Sequence, residues 1–109
     1  MLKLNKIINL DEFFNENKPA QNSECFLPLF ESKQIKIAAI ASNSLVETGW
    51  MINQGIEFCL LYKGTALLSD KQGQLIHMKA GDILKIDAKA KHKIVSTSPE
   101  ALWLAIYLN

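Results

Sequence analysis

The sequence predicts an all-β sandwich or barrel, and three observations carry that reading. Short apolar runs recur between clusters of turn residues along the whole 109-residue chain. No amphipathic pattern lasts longer than about three helical turns, so the apolar stripe that a helix bundle needs is missing. Hydrophobic residues make up 49% of the chain and charged ones 21%, enough to build an ordinary core but, at this length, only one. No internal repeat, heptad or low-complexity linker divides it.

The charge balance removes whole classes of partner. Twelve basic residues face eleven acids, so there is no global attraction to nucleic acid or to an anionic membrane. All twelve are lysines. Without arginine there is no bidentate fork for phosphate or guanine, which weakens a nucleic-acid role further. The opening MLKLNKIINLDEFF meets acids too early to supply a signal-peptide core, and no apolar run reaches membrane-span length. A cytoplasmic protein is expected. Cys25 and Cys59 have neither zinc-knuckle nor redox-pair spacing and are expected as small buried hydrophobes.

Residues 1–23, rich in Asn, Lys and Glu, are expected as an N-terminal arm, either a short helix or an extended segment. Asn9 is placed to cap a helical turn, because Asp11 and Glu12 follow where acids favour a helix start, and Pro19 ends the pattern. Residues 24–109 form the single barrel domain. In it, ECFLPLFE from Glu24 to Glu31 is a strand that Pro28 confines to a sheet edge. Gln34 to Ala41 alternates and then becomes wholly apolar, as a strand entering the core does. Ser42 to Thr48 is expected as a polar loop, Trp50 to Ile52 as a short apolar strand, and Asn53, Gln54 and Gly55 as a turn.

On the strand from Ile56 to Tyr62, the two-residue period sets Glu57, Cys59 and Leu61 on one face and Phe58, Leu60 and Tyr62 on the other. Thr65 to Ser69 and Leu75 to Met78 form a hairpin around DKQGQ. Gly81 and Asp82 turn the chain into a strand carrying Ile83, Leu84 and Ile86, expected to be buried and to form the pocket wall opposite the Glu57 strand. Lys93 to Thr97 and the closing LWLAIYL are the last strands. Gly64 and Gly81 are expected where a Cβ has little room, and Gly73 in a tolerant loop.

These positions resemble the cupin superfamily. Glu57, six residues and then Gly64 match the end of the first cupin motif; Gly81 through Asp87 and Lys89 to His92 matches the second, with Asp87 and Lys89 standing where proline and glycine are usual. The tail, Thr97, Ser98 and Pro99 with Trp103, Leu104 and Ala105, is similar to that of small single-domain bacterial cupins. The resemblance covers residues 35–108 and implies a cupin-like, RmlC-like jelly-roll β-barrel (double-stranded β-helix). It is specific for fold and much less so for activity.

The family's metal shell is three histidines and a glutamate. Here Trp50, Met51, Ile52 and Asn53 precede Glu57, and the chain has only His77 and His92, so one subunit cannot assemble that shell. The expected polar centre of the barrel is Glu57 and His92, joined by Cys59, Trp50, Ile52 and Asn53 as ligand-binding residues, with no metal ligand and no catalytic residue assigned. His77 lies on an alternating strand and is expected to face solvent. Lys85, Lys89, Lys91 and Lys93 around His92 are expected as solvated side chains. The leading reading is a cupin that binds a small molecule in a barrel with a vacated metal site and no cofactor. The alternatives are a metal-dependent dioxygenase or isomerase with an unusual divalent-metal ligand set, and a structural or regulatory dimer without ligand. Both faces of the last strand are apolar, Leu102, Leu104, Ile106 and Leu108 alternating with Trp103, Ala105 and Tyr107, so a homodimer is expected.

Overall fold

The computed structural model describes Leu4 and Lys6–Asn109; Met1 to Lys3 and Asn5 of the expected arm lie outside the described residues. One short helix, α1 (Leu10–Glu16), precedes eight strands: β1 (Ser23–Glu31), β2 (Ile35–Asn43), β3 (Glu57–Lys63), β4 (Thr65–Asp70), β5 (Leu75–Lys79), β6 (Ile83–Ile86), β7 (His92–Thr97) and β8 (Ala101–Leu108). They pair antiparallel in two sheets, one of five strands in the order β1-β2-β8-β3-β6 and one of three in the order β5-β4-β7. Facing each other, these sheets make the jelly roll.

The core lies between the sheets. Ile40, Cys59, Leu61, Trp103 and Ala105 of the larger sheet pack with Ala66, Leu68 and Met78 of the smaller, as strand parity requires of alternate residues on each inner face. Pro28 sits on β1, the edge strand, and the register slips between Pro28 and Phe30, so the missing N–H breaks no inner ladder.

Helix α1 forms as its cap signals direct. Asn9 Oδ1 accepts from the Glu12 N–H at 3.0 Å, and Asp11 and Glu12 occupy the first turn. Phe13 and Phe14 bury themselves against Ala39, Ala41 and Leu102 on the outer face of the larger sheet. Part of the outward apolar surface of β8 is therefore covered within the chain.

Four expectations need correction. The strand after Gly81 is not the wall opposite β3: β6 is its hydrogen-bonded neighbour, Glu57 pairing with Ile86 and Cys59 with Leu84, and the opposite wall comes from β4 and β7. Because β6 is a sheet edge, only Ile86 is buried, and Ile83 is 65% exposed. Trp50 to Ile52 is not a strand but a single bridge, Met51 to His92. Nor is Ser42 to Thr48 a simple loop. Ser42 and Asn43 end β2, Leu45 is buried, and the segment runs beside β7 through Glu47 N to Val95 O at 2.9 Å, Thr48 N to Ile94 O at 2.9 Å and Met51 N to His92 O at 2.7 Å. Left-handed Ser44 (φ 50°) and Glu47 (φ 46°) break its regularity.

Gly64 adopts φ +90°, and a Cβ there would collide with the Glu100 carbonyl. Gly81 (φ +96°) and Gly73 (φ +86°) both have positive φ with open space around them, so Gly73 is no more tolerant than Gly81, contrary to expectation.

Candidate functional site

Strand parity turns Glu57, the first residue of β3, inward with Cys59, and the β6–β7 connection delivers His92 to the first position of β7. Their side chains converge across the two sheets, with His92 Nε2 at 3.9 Å from Glu57 Oε1. Both residues are buried. Asn53, four residues before Glu57, donates from Nδ2 to the same oxygen at 2.7 Å. The Asn53 carbonyl in turn accepts from the Lys89 N–H at 2.7 Å, which ties the loop before β3 to the loop before β7. Lys89 is left-handed (φ 64°), a conformation that a glycine would hold without steric cost.

His92 is fixed from its other side. Its Nδ1 lies 3.0 Å from the Ala90 carbonyl, which can only accept, so Nδ1 carries a proton, and in the neutral tautomer that this selects Nε2 presents a lone pair to the cavity. Burial pushes the Glu57 carboxyl above its ordinary value, against smaller downward pulls from the Asn53 hydrogen bond and from His92. Burial, helped by the Glu57 charge, pushes the Cys59 thiol up to about 12, which makes it an inert core group rather than a nucleophile. Tyr107 is pushed up to about 12 for the same two reasons in the same order.

These groups line a cavity of about 120 Å³ between the sheets. Phe26, Ile40, Trp103 and Tyr107 supply its apolar and aromatic walls, and Met51, Thr48 and Glu24 complete it. A second polar chain crosses the wall: Trp103 Nε1 donates to Ser42 Oγ at 3.2 Å, and Ser42 Oγ donates to Glu24 Oε2 at 2.9 Å. A larger groove of about 520 Å³ runs outside the barrel between α1 and the sheet. Of its four charged groups, Asp11, Lys18, Lys63 and Glu100, the last two pair with each other at 3.3 Å in solvent, and the buried titratable pair is in the barrel.

Of the expected site residues, the structure brings together Glu57, His92, Cys59 and Asn53 and leaves out two. Trp50 (45% exposed) and Ile52 (48% exposed) point away from the cavity, because Met51 takes the inward position through its bridge to His92 and its neighbours must face out. Trp50 lies instead between Lys71 and Lys93, whose Nζ atoms are 4.9 and 4.8 Å from its ring centroid. Lys93 also pairs with Glu47 at 2.8 Å, and Lys85 with Asp87 at 3.4 Å. His77 is exposed. Sequence reasoning missed Glu24, Phe26 and Ser42, although Glu24 and Phe26 share one parity on β1.

The donor set does not fit the family's metal. Among the described residues, no three His, Cys, Asp or Glu side chains form a group able to hold an ion. The added candidates are unsuited: Asn53 turns its NH2 group, which does not ligate metals, toward Glu57, and the Cys59 thiol strongly resists ionisation.

No protein-family model and no curated protein matches the sequence. Solved structures do. A candidate mannose-6-phosphate isomerase from Ralstonia eutropha is 28% identical, with 96% of this chain and 99% of that one covered at a TM-score of 0.83. A cupin superfamily protein from Desulfitobacterium hafniense is 19% identical, covering 98% and 94% at a TM-score of 0.77. A cupin-2 domain protein from Shewanella frigidimarina is 18% identical, covering 94% and 95% at 0.74. With two antiparallel sheets, Glu57 and His92 brought together from the two motifs, and these likenesses, the chain has the fold of the small single-domain cupins.

Proposed function

We propose that the protein is a cytoplasmic, homodimeric cupin that binds a small molecule in its barrel, using Glu57 and His92 directly and without a resident metal. One observation carries the reading. Glu57 and His92 are 8% and 9% exposed, yet no hydrogen bond among the described residues reaches Glu57 Oε2 or His92 Nε2, while a cavity lies against both. No buried side-chain nitrogen or oxygen among the described residues lacks a partner, so these two atoms are the accessible polar ends of otherwise buried side chains, and a molecule in the cavity can bond to them. At about 120 Å³, the cavity suits a molecule near the size of benzene, which fills a comparable engineered cavity of roughly 150 Å³. A sugar phosphate is larger and calls for a cation at its phosphate, and no lysine lines this cavity. The isomerase name of the Ralstonia relative therefore supports nothing further here.

Elemental analysis of protein purified without a metal-affinity tag tests the proposal. Zinc, iron, nickel and manganese well below one per chain are expected. A stoichiometric metal that disappears in the Glu57→Gln, His92→Ala double variant would overturn the metal-free reading and favour the metal-dependent enzyme.

A further inference from the structure

We propose that the barrel ligand is a small organic cation, an alkylammonium of a few carbons, held by its N–H groups on Glu57 and His92. The inference rests on the reading of the barrel as a small-molecule site and adds the chemical class of the ligand.

Hydrogen-bond capacity around the cavity is strongly one-sided. The side-chain donors are already spent inside the protein: Asn53 Nδ2 on Glu57, Trp103 Nε1 on Ser42, Ser42 Oγ on Glu24 and His92 Nδ1 on the Ala90 carbonyl. What faces the cavity is accepting, namely Glu57 Oε2 and the Nε2 lone pair of the neutral His92 tautomer, and the donors left over are the second N–H of Asn53, the Tyr107 hydroxyl and the weak Cys59 thiol. A ligand that fits this wall brings donors and takes few back.

Charge points the same way. Two carboxylates, Glu24 and Glu57, line the cavity with no lysine among the lining residues, so an anion entering it would meet like charge. A divalent ion suits the charge but not the spacing. Glu24 is on β1, level with Ser42 and Ala101, whereas Glu57 is on β3, level with Tyr107, with β2 and β8 between them in the sheet. The negative charge is spread along the cavity instead of focused on a point. An ammonium with an apolar tail matches that spread, with its head on Glu57 and His92 and its carbons against Phe26, Trp103 and Tyr107, whose rings also favour a cation.

The test is an NMR titration of the intact protein at about pH 8, where an alkylammonium is charged, with n-propylammonium, 1-propanol and propionate followed separately. The Trp103 indole N–H and the His92 ring report the cavity, and the Trp50 indole N–H is the control outside it. Propylammonium is expected to shift Trp103 and His92 saturably and leave Trp50 unmoved, and to bind at least about tenfold more tightly than the isosteric alcohol or acid, the scale of one good charge-assisted contact. Glu57→Gln is expected to erase that preference and Glu24→Gln to reduce it less, each variant being first shown to melt cooperatively. Saturable binding of propanol or propionate at equal or higher affinity would overturn the cation assignment and leave the barrel reading standing. A cavity unmoved by all three probes would overturn both.

Discussion

Glu57 concentrates the chemistry of this chain in one residue. Its folded-state pKa is raised above the ordinary 4.5, chiefly by burial, so over a window upward from 4.5 the folded protein holds a proton that the unfolded chain has lost. Its contribution to stability is fully present below the unfolded value and is lost as pH rises through the folded one. Glu57→Gln keeps an acceptor for Asn53 and removes the charge. The variant is expected to gain thermal stability on the wild type at about pH 8 but not at about pH 4.5, and a variant that melts lower at pH 8 would mean that the ion pair with His92 outweighs burial. Lys89 makes a second prediction at this scale. Its left-handed backbone (φ 64°) costs a β-carbon residue about 1 kcal/mol more than glycine, partly offset by the freedom glycine adds to the unfolded chain. Lys89→Gly should therefore raise the melting temperature or leave it unchanged, and a loss of several degrees would show that the lysine side chain matters to the fold. Gly64 is the opposite case. With the Glu100 carbonyl where a Cβ would sit, Gly64→Ala should cost a few kcal/mol in chemical denaturation, against about 1 kcal/mol for Gly81→Ala.

Among the elements, those legible in the sequence were the ones whose local chemistry agrees with their packing. Parity alone put Glu57, Cys59 and Leu61 on one face of β3, which the structure turns inward, and Asn9 followed by Asp11 and Glu12 marked the start of α1. The segment from Ser44 to Met51 was misread because its order comes from a partner far along the chain. The N–H groups of Ser44, Glu47, Thr48 and Met51 bond to carbonyls of β7 and of Ser98 just after it, while its own Ser, Thr and Gly residues resemble a loop. For the same reason Trp50 and Met51 could not be sorted into outward and inward, since one bridge to His92 decides it. Glu24 remained hidden because its partner, Ser42, is 18 residues away and no local pattern links the two. Helix α1 gives the prediction at this scale. Seven residues are too few to be stable alone, so the helix depends on Phe13 and Phe14 against the sheet. Phe14→Ala should cost on the order of 3 kcal/mol, and Asn9→Ala about 1 kcal/mol. Hydrogen exchange in residues 10–16 should rise in both variants while β3 and β8 stay protected; uniform loss of protection would show that the helix and barrel are one cooperative unit.

For the whole molecule, the outer face of the larger sheet governs association. Beyond the part that α1 covers, Leu60 stands between Leu104 and Ile83, and Phe58 stands beside Ile106, which in turn faces Ile37. These side chains form an apolar surface with no helix over it among the described residues, and a second copy would cover it. Sedimentation at tens of micromolar should give a dimer, and Leu104→Lys with Ile106→Lys should give a folded monomer; a monomeric wild type would remove the dimer. No helix among the described residues is long and apolar enough to cross a membrane. The larger question is what fills the barrel. Crystals of tag-free protein, measured at the absorption edges of zinc, iron, nickel and manganese, answer it most directly through difference and anomalous density between Glu57 and His92. Light-atom density in contact with Glu57 Oε2 and His92 Nε2, with no anomalous peak, is the expected result. A full-occupancy anomalous peak bonded to His92 Nε2 and Glu57 would contradict it.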